Sequence, residues 1–177
     1  MKILFTVLLF AIALVTVSVA QGQTKPDTKT RIAVVEFTPG SIASPMSYEA
    51  KRQLQASIAN SLMQSKKFSV VDVRNTRDAS QADLAAVNGG STASAVRVGK
   101  QLGVAYVLTG HVVEYNFRGS ATLKARLVEV ATGKVKYSGE IEQTTASAMT
   151  MNVGHPEMML KVLRPAIQRL TTALAGI

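Results

Sequence analysis

The sequence predicts a single α/β (α+β) domain, in which helices pack on a mixed sheet that ends in an antiparallel C-terminal meander. In the first half, apolar runs at residues 31–37 and 68–73 flank a helical pattern. That spacing suits a parallel strand pair with a helical crossover. In the second half, three strand-like runs follow one another with glycine-containing turns between them, as in an antiparallel meander.

An export signal is predicted ahead of this domain. Lys2 gives a positive start, residues 3–17 are apolar apart from two threonines, and Ser18-Val19-Ala20 places small residues before a cut ahead of Gln21. The alternative is a membrane anchor, but about 15 apolar residues fall short of the roughly 20 that a spanning helix needs. We therefore expect a signal peptide at 1–20, a flexible leader at 21–30 and the folded domain at 31–177.

The first strand and helix follow from apolar spacing. Residues 31–37 are almost continuously apolar, which predicts a central strand covered on both faces. Ser44-Pro45 offers a helix N-cap followed by proline at the first helical position, and Lys66-Lys67 places positive charge at the helix end. The apolar residues between them share one helical face: Ala50, Leu54, Ile58 and Leu62.

Two further helices are predicted before the meander. Residues 78–87 form a weak helical pattern that ends at Asn88-Gly89-Gly90. Ser91 or Thr92 then caps a second helix, which ends at Gly103. The glycines ahead of this cap could offer backbone amides to an anion, although an ordinary loop is the favoured interpretation.

The meander is predicted to consist of strands at 104–117, 121–130 and 135–144. A three-residue Thr132-Gly133-Lys134 loop with Gly133 left-handed would place Arg126 opposite Glu140 and Lys124 opposite Glu142. The same register buries Leu123, Ala125 and Leu127. Gly110 interrupts the first of these strands and is a candidate β-bulge. The pattern does not determine which face of that strand is buried.

The chain is predicted to end in an amphipathic helix. Its apolar stripe consists of Met159, Val162, Leu163, Ile167, Leu170 and Leu174. Pro165 lies inside the stripe, and because proline removes a backbone hydrogen bond, we expect a kink there or a second helix that starts at Pro165. Four methionines flank the start of the helix, and core packing is favoured over a flexible partner surface: Met149, Met151, Met158 and Met159.

The composition excludes several kinds of function. The chain carries 20 Lys and Arg against 11 Asp and Glu, with a formal net charge of +9 at pH 7, which favours anionic partners. Nucleic acid is not expected, because the export signal argues against it and no nucleic-acid-binding motif is found. The absence of cysteine excludes disulfides, thiolate metal sites and cysteine nucleophiles. It also excludes the lipoprotein acylation that needs a cysteine at the start of the mature chain.

No catalytic, cofactor or metal site is predicted. His111 and His155 are far apart in the sequence, and neither has an acidic or histidine partner at ligand spacing. His155 is expected to cap a helix or to lie in solvent. Asp72, Asp78 and Asp83 follow a strand but do not form a recognisable acid/base pair. We therefore do not expect an enzyme.

Ordered segments along the domain carry a family resemblance. The segments read IAVVEF from Ile32, IANSL from Ile58, FSVVD from Phe68, LGVAYVLTG from Leu102 and RLVEVATGKV from Arg126. Together they resemble the curli production assembly/transport component CsgG-like family, which is related to the penicillin-binding-protein activator LpoB and the TolB amino-terminal domain. The resemblance implies a βαβαβββα domain in a non-enzymatic envelope protein that works by protein contact. The chain has no spare length for the inserted hairpins of a membrane barrel, so a pore is not expected.

These observations predict a soluble, periplasmic or secreted accessory protein that binds an envelope protein partner in envelope assembly or secretion. After cleavage of the signal peptide it would not span a membrane. The alternative is a basic module that binds an anionic wall polymer or lipid. A hydrolase would need a nucleophile and a base that the sequence does not show. No residue is assigned to a partner interface from the sequence.

Overall fold

The structure is a computed structural model that describes residues 29–40, 46–145 and 154–177. The predicted signal peptide, almost all of the predicted leader, Ser44-Pro45, Met149 and Met151 lie outside the described residues. Within them the strands are β1 (Thr30–Val34), β2 (Thr38–Pro39), β3 (Phe68–Val70), β4 (Tyr106–Asn116), β5 (Ser120–Glu129) and β6 (Val135–Thr144). The helices are α1 (Tyr48–Gln64), α2 (Val73–Arg77), α3 (Gln81–Asn88), α4 (Thr92–Leu102), α5 (His155–Met158) and α6 (Arg164–Ala175).

The sheet is mixed, as the sequence predicted. Its strand order is β3-β1-β4-β5-β6, and β2 pairs with β4 beyond the end of β1. β1 runs parallel to β3 and to β4, whereas β4, β5 and β6 form the antiparallel meander.

Helices cover β1 on both faces. Ile32 and Val34 pack into one core with α1 and α6, and Ala33 and Val35 pack into a second core with α3 and α4. Successive side chains of a strand point to opposite faces, so a strand buried on both sides needs the nearly continuous apolar run seen at residues 31–37. The domain therefore has three layers, with the sheet in the middle.

Local capping interactions determine where several helices begin. The Ser47 side chain accepts a hydrogen bond from the Ala50 amide, and α1 starts at Tyr48. β3 is shorter than predicted because the Asp72 carboxylate accepts a hydrogen bond from the Arg74 amide at 2.7 Å and caps α2. The predicted cap of α4 is confirmed at Ser91, and the left-handed Gly103 ends that helix.

The predicted register of the β5–β6 hairpin is wrong by two residues. Lys124 lies opposite Glu140 and Arg126 opposite Ser138. Gly133 is left-handed as predicted, but the connection between the strands spans residues 130–134 and the register shifts between Leu127 and Val128. A shift of two residues leaves the side chains on the same faces, so the predicted burial of Leu123, Ala125 and Leu127 is confirmed.

Gly110 does not mark a bulge. The irregularity in β4 lies between Val112 and Glu114. A Cβ atom at Gly110 would collide with the carbonyl oxygen of Lys124 and would lie 2.5 Å from the ring of Phe37. Glycine is required here because the Phe37 ring packs directly on the backbone of β4.

The carboxyl-terminal helix is interrupted ahead of Pro165. Residues Met159–Leu163 form a π-helical turn, and α6 begins at Arg164 with proline in its first turn. The wider turn relieves the clash between the proline ring and the preceding turn of backbone, and proline lacks the N–H that an α-helix would bond. The predicted interruption is thus confirmed, and so is core packing of Met158, which is fully buried.

Candidate functional site

The two histidines lie on opposite faces of the sheet. His111 is on β4, where its Nδ1 atom shares a hydrogen bond of 2.8 Å with the Thr38 hydroxyl. His155 begins α5, and its Nδ1 atom shares a hydrogen bond of 2.6 Å with the hydroxyl of Tyr115, which is buried in the core beneath α1 and α6. Gly154, not His155, is the N-cap, and the histidine is half-buried rather than in solvent. Among the described residues, neither histidine forms an ion pair with a carboxylate.

The three aspartates have separate structural roles. Asp72 caps the start of α2 and Asp78 lies at its end. Asp83 accepts hydrogen bonds from the Arg97 guanidinium at 2.8 and 2.5 Å. The hydrogen bond from Arg97 holds the pKa of Asp83 below its ordinary value. Asp72 and Asp78 therefore lie at helix ends, and Asp83 pairs with Arg97.

The loop before α4 serves the two helices that it joins. The Ser91 hydroxyl accepts a hydrogen bond from the Ser94 amide at 3.1 Å, and the Ser91 amide donates to the carbonyl of Ala86. Gly90 has a positive φ of 99°, which favours glycine at this position. These contacts support the interpretation as an ordinary helix-capping loop.

Part of the meander presents polar side chains to solvent on the face opposite α1 and α6. The pairing places His111, Lys124 and Glu140 in one row across β4, β5 and β6, and Glu114 and Glu142 one row further along. Lys124, Glu140 and Glu142 are exposed. We refer to these five residues as the open sheet surface. It offers both signs of charge on a rigid sheet.

The outer backbone of β6 adjoins this surface. Arg169 donates a hydrogen bond of 2.8 Å to the carbonyl of Glu142, so the backbone of Glu142 faces away from β5. Because backbone groups alternate along a strand, those of Ser138 and Glu140 face the same way. An edge strand of this kind can accept a strand from a partner.

A cleft lies at the carboxyl end of β1, between α1, α2 and α3, and has a volume of about 310 Å³. Its polar lining comes from Glu36, Gln55, Thr76, Arg77 and Asn88, among other residues. Sequence reasoning missed this site because these residues are scattered over several elements and form no motif. The available signal was a glutamine at a position of α1 that lies on the buried side of the helix.

The described part of the chain contains no helix with both the length and the apolarity to cross a membrane. Residues 29–40, 46–145 and 154–177 contain no group of three or more His, Cys, Asp or Glu side chains arranged to hold a metal.

Solved structures share this fold at low sequence identity. Lipoprotein GNA1162 from Neisseria meningitidis is 20% identical, with a TM-score of 0.54 over 83% of this chain and 97% of that chain. The hypothetical protein CT253 from Chlamydia trachomatis is 16% identical, with a TM-score of 0.55 over 84% of this chain and 100% of that one. A PelC dodecamer structure from Paraburkholderia phytofirmans is 16% identical, with a TM-score of 0.50 over 81% and 89% of the two chains.

A protein-family comparison is more specific. No curated protein matches the chain, but the family model described as peptidoglycan-synthase activator LpoB matches residues 50–143. That match covers more than half of the sequence and runs from the first turn of α1 into the end of β6. It supports the resemblance to LpoB and gives no support to the CsgG-like assignment or to a role in curli assembly. The chain belongs to the LpoB family of peptidoglycan-synthase activators.

Proposed function

We propose that this protein is a non-enzymatic accessory protein of the bacterial cell envelope that binds a peptidoglycan synthase and raises its activity. The observation that carries the proposal is the family match over residues 50–143. The export signal predicted at residues 1–20 supports it, since a protein that acts on a wall synthase must reach the periplasm. On this proposal the protein acts by contact and contributes no reacting group.

The open sheet surface and the outer edge of β6 are the proposed contact region. Both belong to strands within the matched segment. The surface carries exposed charges of both signs, which suits orientation of a polar partner, and the edge offers backbone groups to a partner strand. The opposite face of the same strands is buried under α1 and α6 and is not accessible to a partner.

The direct test combines binding with activation. The protein would be titrated against a membrane-extracted peptidoglycan synthase of the same bacterium, with affinity measured by biolayer interferometry and glycan polymerisation followed with a labelled lipid-linked precursor. We expect saturable binding and a faster rate. We expect Lys124→Glu to weaken the affinity about tenfold or more, because it places like charges opposite each other at Glu140 and reverses the sign presented to the partner. Binding without a change in rate, or no binding, would contradict the proposal.

A second candidate function follows from a basic end of the molecule. The parallel pairing of β1 with β3 places Arg31 opposite Ser69, two residues after Lys67 on the neighbouring strand, and Lys66 precedes Lys67 in the chain. All three side chains are exposed, and Lys67 also donates a hydrogen bond of 2.7 Å to the carbonyl of Ala175. A cluster of this kind favours an anionic wall polymer or lipid.

Salt and a paired variant separate the two functions. Binding to an anionic polymer or lipid should disappear at high ionic strength, as measured by sedimentation with purified peptidoglycan or with vesicles that contain phosphatidylglycerol. Lys66→Glu should reduce sedimentation and leave synthase binding intact. Lys124→Glu should do the reverse, so each variant is the control for the other.

A further inference from the structure

The path of the chain explains why a cleft forms at the carboxyl end of β1. β1 lies between β3 and β4. The connection from β1 to β3 passes through α1 on one face, and the connection from β3 to β4 passes through α3 and α4 on the other. Where the connections that leave two adjacent strands, here β1 and β3, lie on opposite faces of the sheet, a crevice opens at the carboxyl ends of those strands, and ligands of open α/β sheets bind there.

Three buried polar atoms of the cleft lack a hydrogen-bond partner within the described residues. They are Oε1 of Gln55, Nε of Arg77 and Oδ1 of Asn88, and all three residues line the cleft. A buried polar atom without a partner carries a substantial free-energy cost. Three such atoms around one cavity therefore indicate that something polar occupies it.

Gln55 defines which partner is missing. Its side chain is 1% exposed, and its Nε2 atom donates a hydrogen bond of 2.7 Å to the carbonyl of Val34. That bond determines the orientation of the side-chain amide and leaves Oε1 in need of a donor. The Nε atom of Arg77 needs an acceptor. An occupant must therefore supply both a donor and an acceptor.

The remaining lining narrows the class of ligand. The lining carries one carboxylate, that of Glu36, and one guanidinium, that of Arg77, and the Glu36 carboxylate is also paired with the Lys51 ammonium at 3.6 Å. These charges offset one another, which favours a neutral occupant. Val35 and Leu84 provide apolar wall, and the ring of Tyr48, which is 57% exposed, lies at the mouth. Space of about 310 Å³ is enough for a small ligand and too small for a folded partner.

We propose that this cleft is a binding site for a small neutral ligand that carries a secondary amide. Its N–H would donate to the side-chain oxygen of Gln55 and its carbonyl would accept from Nε of Arg77, with a methyl or methine group against Val35 and Leu84. Two sources present this chemistry: the N-acetyl group of an amino sugar and the backbone of a short peptide. The proposal does not depend on synthase activation.

The test is a nuclear magnetic resonance titration of the ¹⁵N-labelled protein in the absence of any synthase. One arm uses N-acetylglucosamine, a second uses N-acetyl-alanine methylamide, and glucose is the amide-free control. We expect saturable shifts of the Gln55 and Asn88 side-chain amides and of the Val35 and Leu84 backbone amides, at millimolar ligand, with none from glucose. Saturation in one arm identifies the sugar or the peptide as the source, and saturation in both shows recognition of the amide group alone.

A matched pair of variants on α2 links the response to the cleft. Arg77→Met keeps the apolar stem but removes Nε, and we expect it to weaken the affinity about tenfold or more. Arg74→Met, on the exposed side of the same helix, should bind like the parent. Asn88→Ala is a second cleft variant at the end of α3, should Arg77→Met fail to fold. Absence of saturable shifts in both arms, or equal affinity in the cleft variants and Arg74→Met, would overturn the proposal.

Discussion

Replacing Gly110 by alanine tests how closely β4 packs between the Phe37 ring and the backbone of β5. The backbone at Gly110 is not in the left-handed region, so alanine is compatible with its conformation. The added methyl group would nevertheless lie 2.5 Å from Cε1 of Phe37 and would collide with the carbonyl oxygen of Lys124. Phe37 is 0% exposed, and the carbonyl belongs to a paired strand, so neither neighbour moves without disturbing the core or the sheet.

Two opposing terms give the magnitude. Alanine in place of glycine stabilises a strand by about 0.5–1 kcal/mol, because the unfolded chain loses less backbone freedom. Overpacking a well-packed core costs about 1–3 kcal/mol, and a contact this short belongs at the upper end of that range. The net change in the free energy of unfolding is then a loss of about 2 kcal/mol, which lowers the Tm of a domain of this size by about 4–8 °C.

Urea unfolding followed by circular dichroism, together with thermal melts, would measure this loss. Gly176→Ala is the matched control, because its nearest neighbour would lie at an ordinary contact distance of 3.5 Å and its stability should stay within about 0.5 kcal/mol of the parent. If Gly110→Ala were as stable as the parent, the described packing of Phe37 on β4 would be wrong.

Three further predictions concern single side chains. The hydrogen bond from Arg97 lowers the pKa of Asp83, so the ionised carboxylate stabilises the fold above its ordinary pKa of 3.8, and this stabilisation is lost as the pH falls through the folded pKa. Asp83→Asn should therefore reduce the loss of stability in acid, as measured by urea unfolding at a series of pH values. The same acid dependence in the variant and the parent would contradict this. Burial raises the pKa of Tyr115 to about 12, so its contribution is present below the ordinary value of 10.0 and is lost as the pH rises towards 12. Tyr115→Phe should remove this loss of stability at alkaline pH. It should also lower the free energy of unfolding by about 1 kcal/mol at neutral pH, since His155 loses its hydrogen-bond partner. A variant with the same alkaline transition as the parent would contradict this prediction. Leu170→Ala, at a fully buried position, should cost about 2–5 kcal/mol in the same assay, whereas Leu160→Ala, which is 55% exposed, should cost much less.

Local patterns predicted the element types well, because each depends on a short stretch of chain. The run at residues 32–35 is apolar throughout because the end of β1 is covered on both faces. The stripe that predicted the final helix contributes Leu163, Leu170 and Leu174 to the core. Ser91 and Gly103 signal the ends of α4 through their own side-chain and backbone chemistry.

The errors arise where a short stretch of sequence is compatible with more than one arrangement. The β5–β6 register depends on how the turn at residues 130–134 closes, and two registers that differ by two residues present the same faces. The sequence makes Gly110 a candidate bulge because it does not show that Phe37 packs on this residue. The polar lining of the cleft comes from α1, α2 and α3 and the residues after β1, which no single window of sequence contains.

The sequence by itself therefore determined the class of fold, the absence of cysteine chemistry and the resemblance to envelope proteins. It also predicted the export signal. Each of these depends on composition, on periodicity or on residues that are close in the chain. Only the tertiary structure decided which face of the meander is open, where the basic end lies, and that Gln55, Arg77 and Asn88 meet around one cleft. Those features depend on the path of the chain, because the crossovers on opposite faces of β1 bring together residues that are separate in sequence.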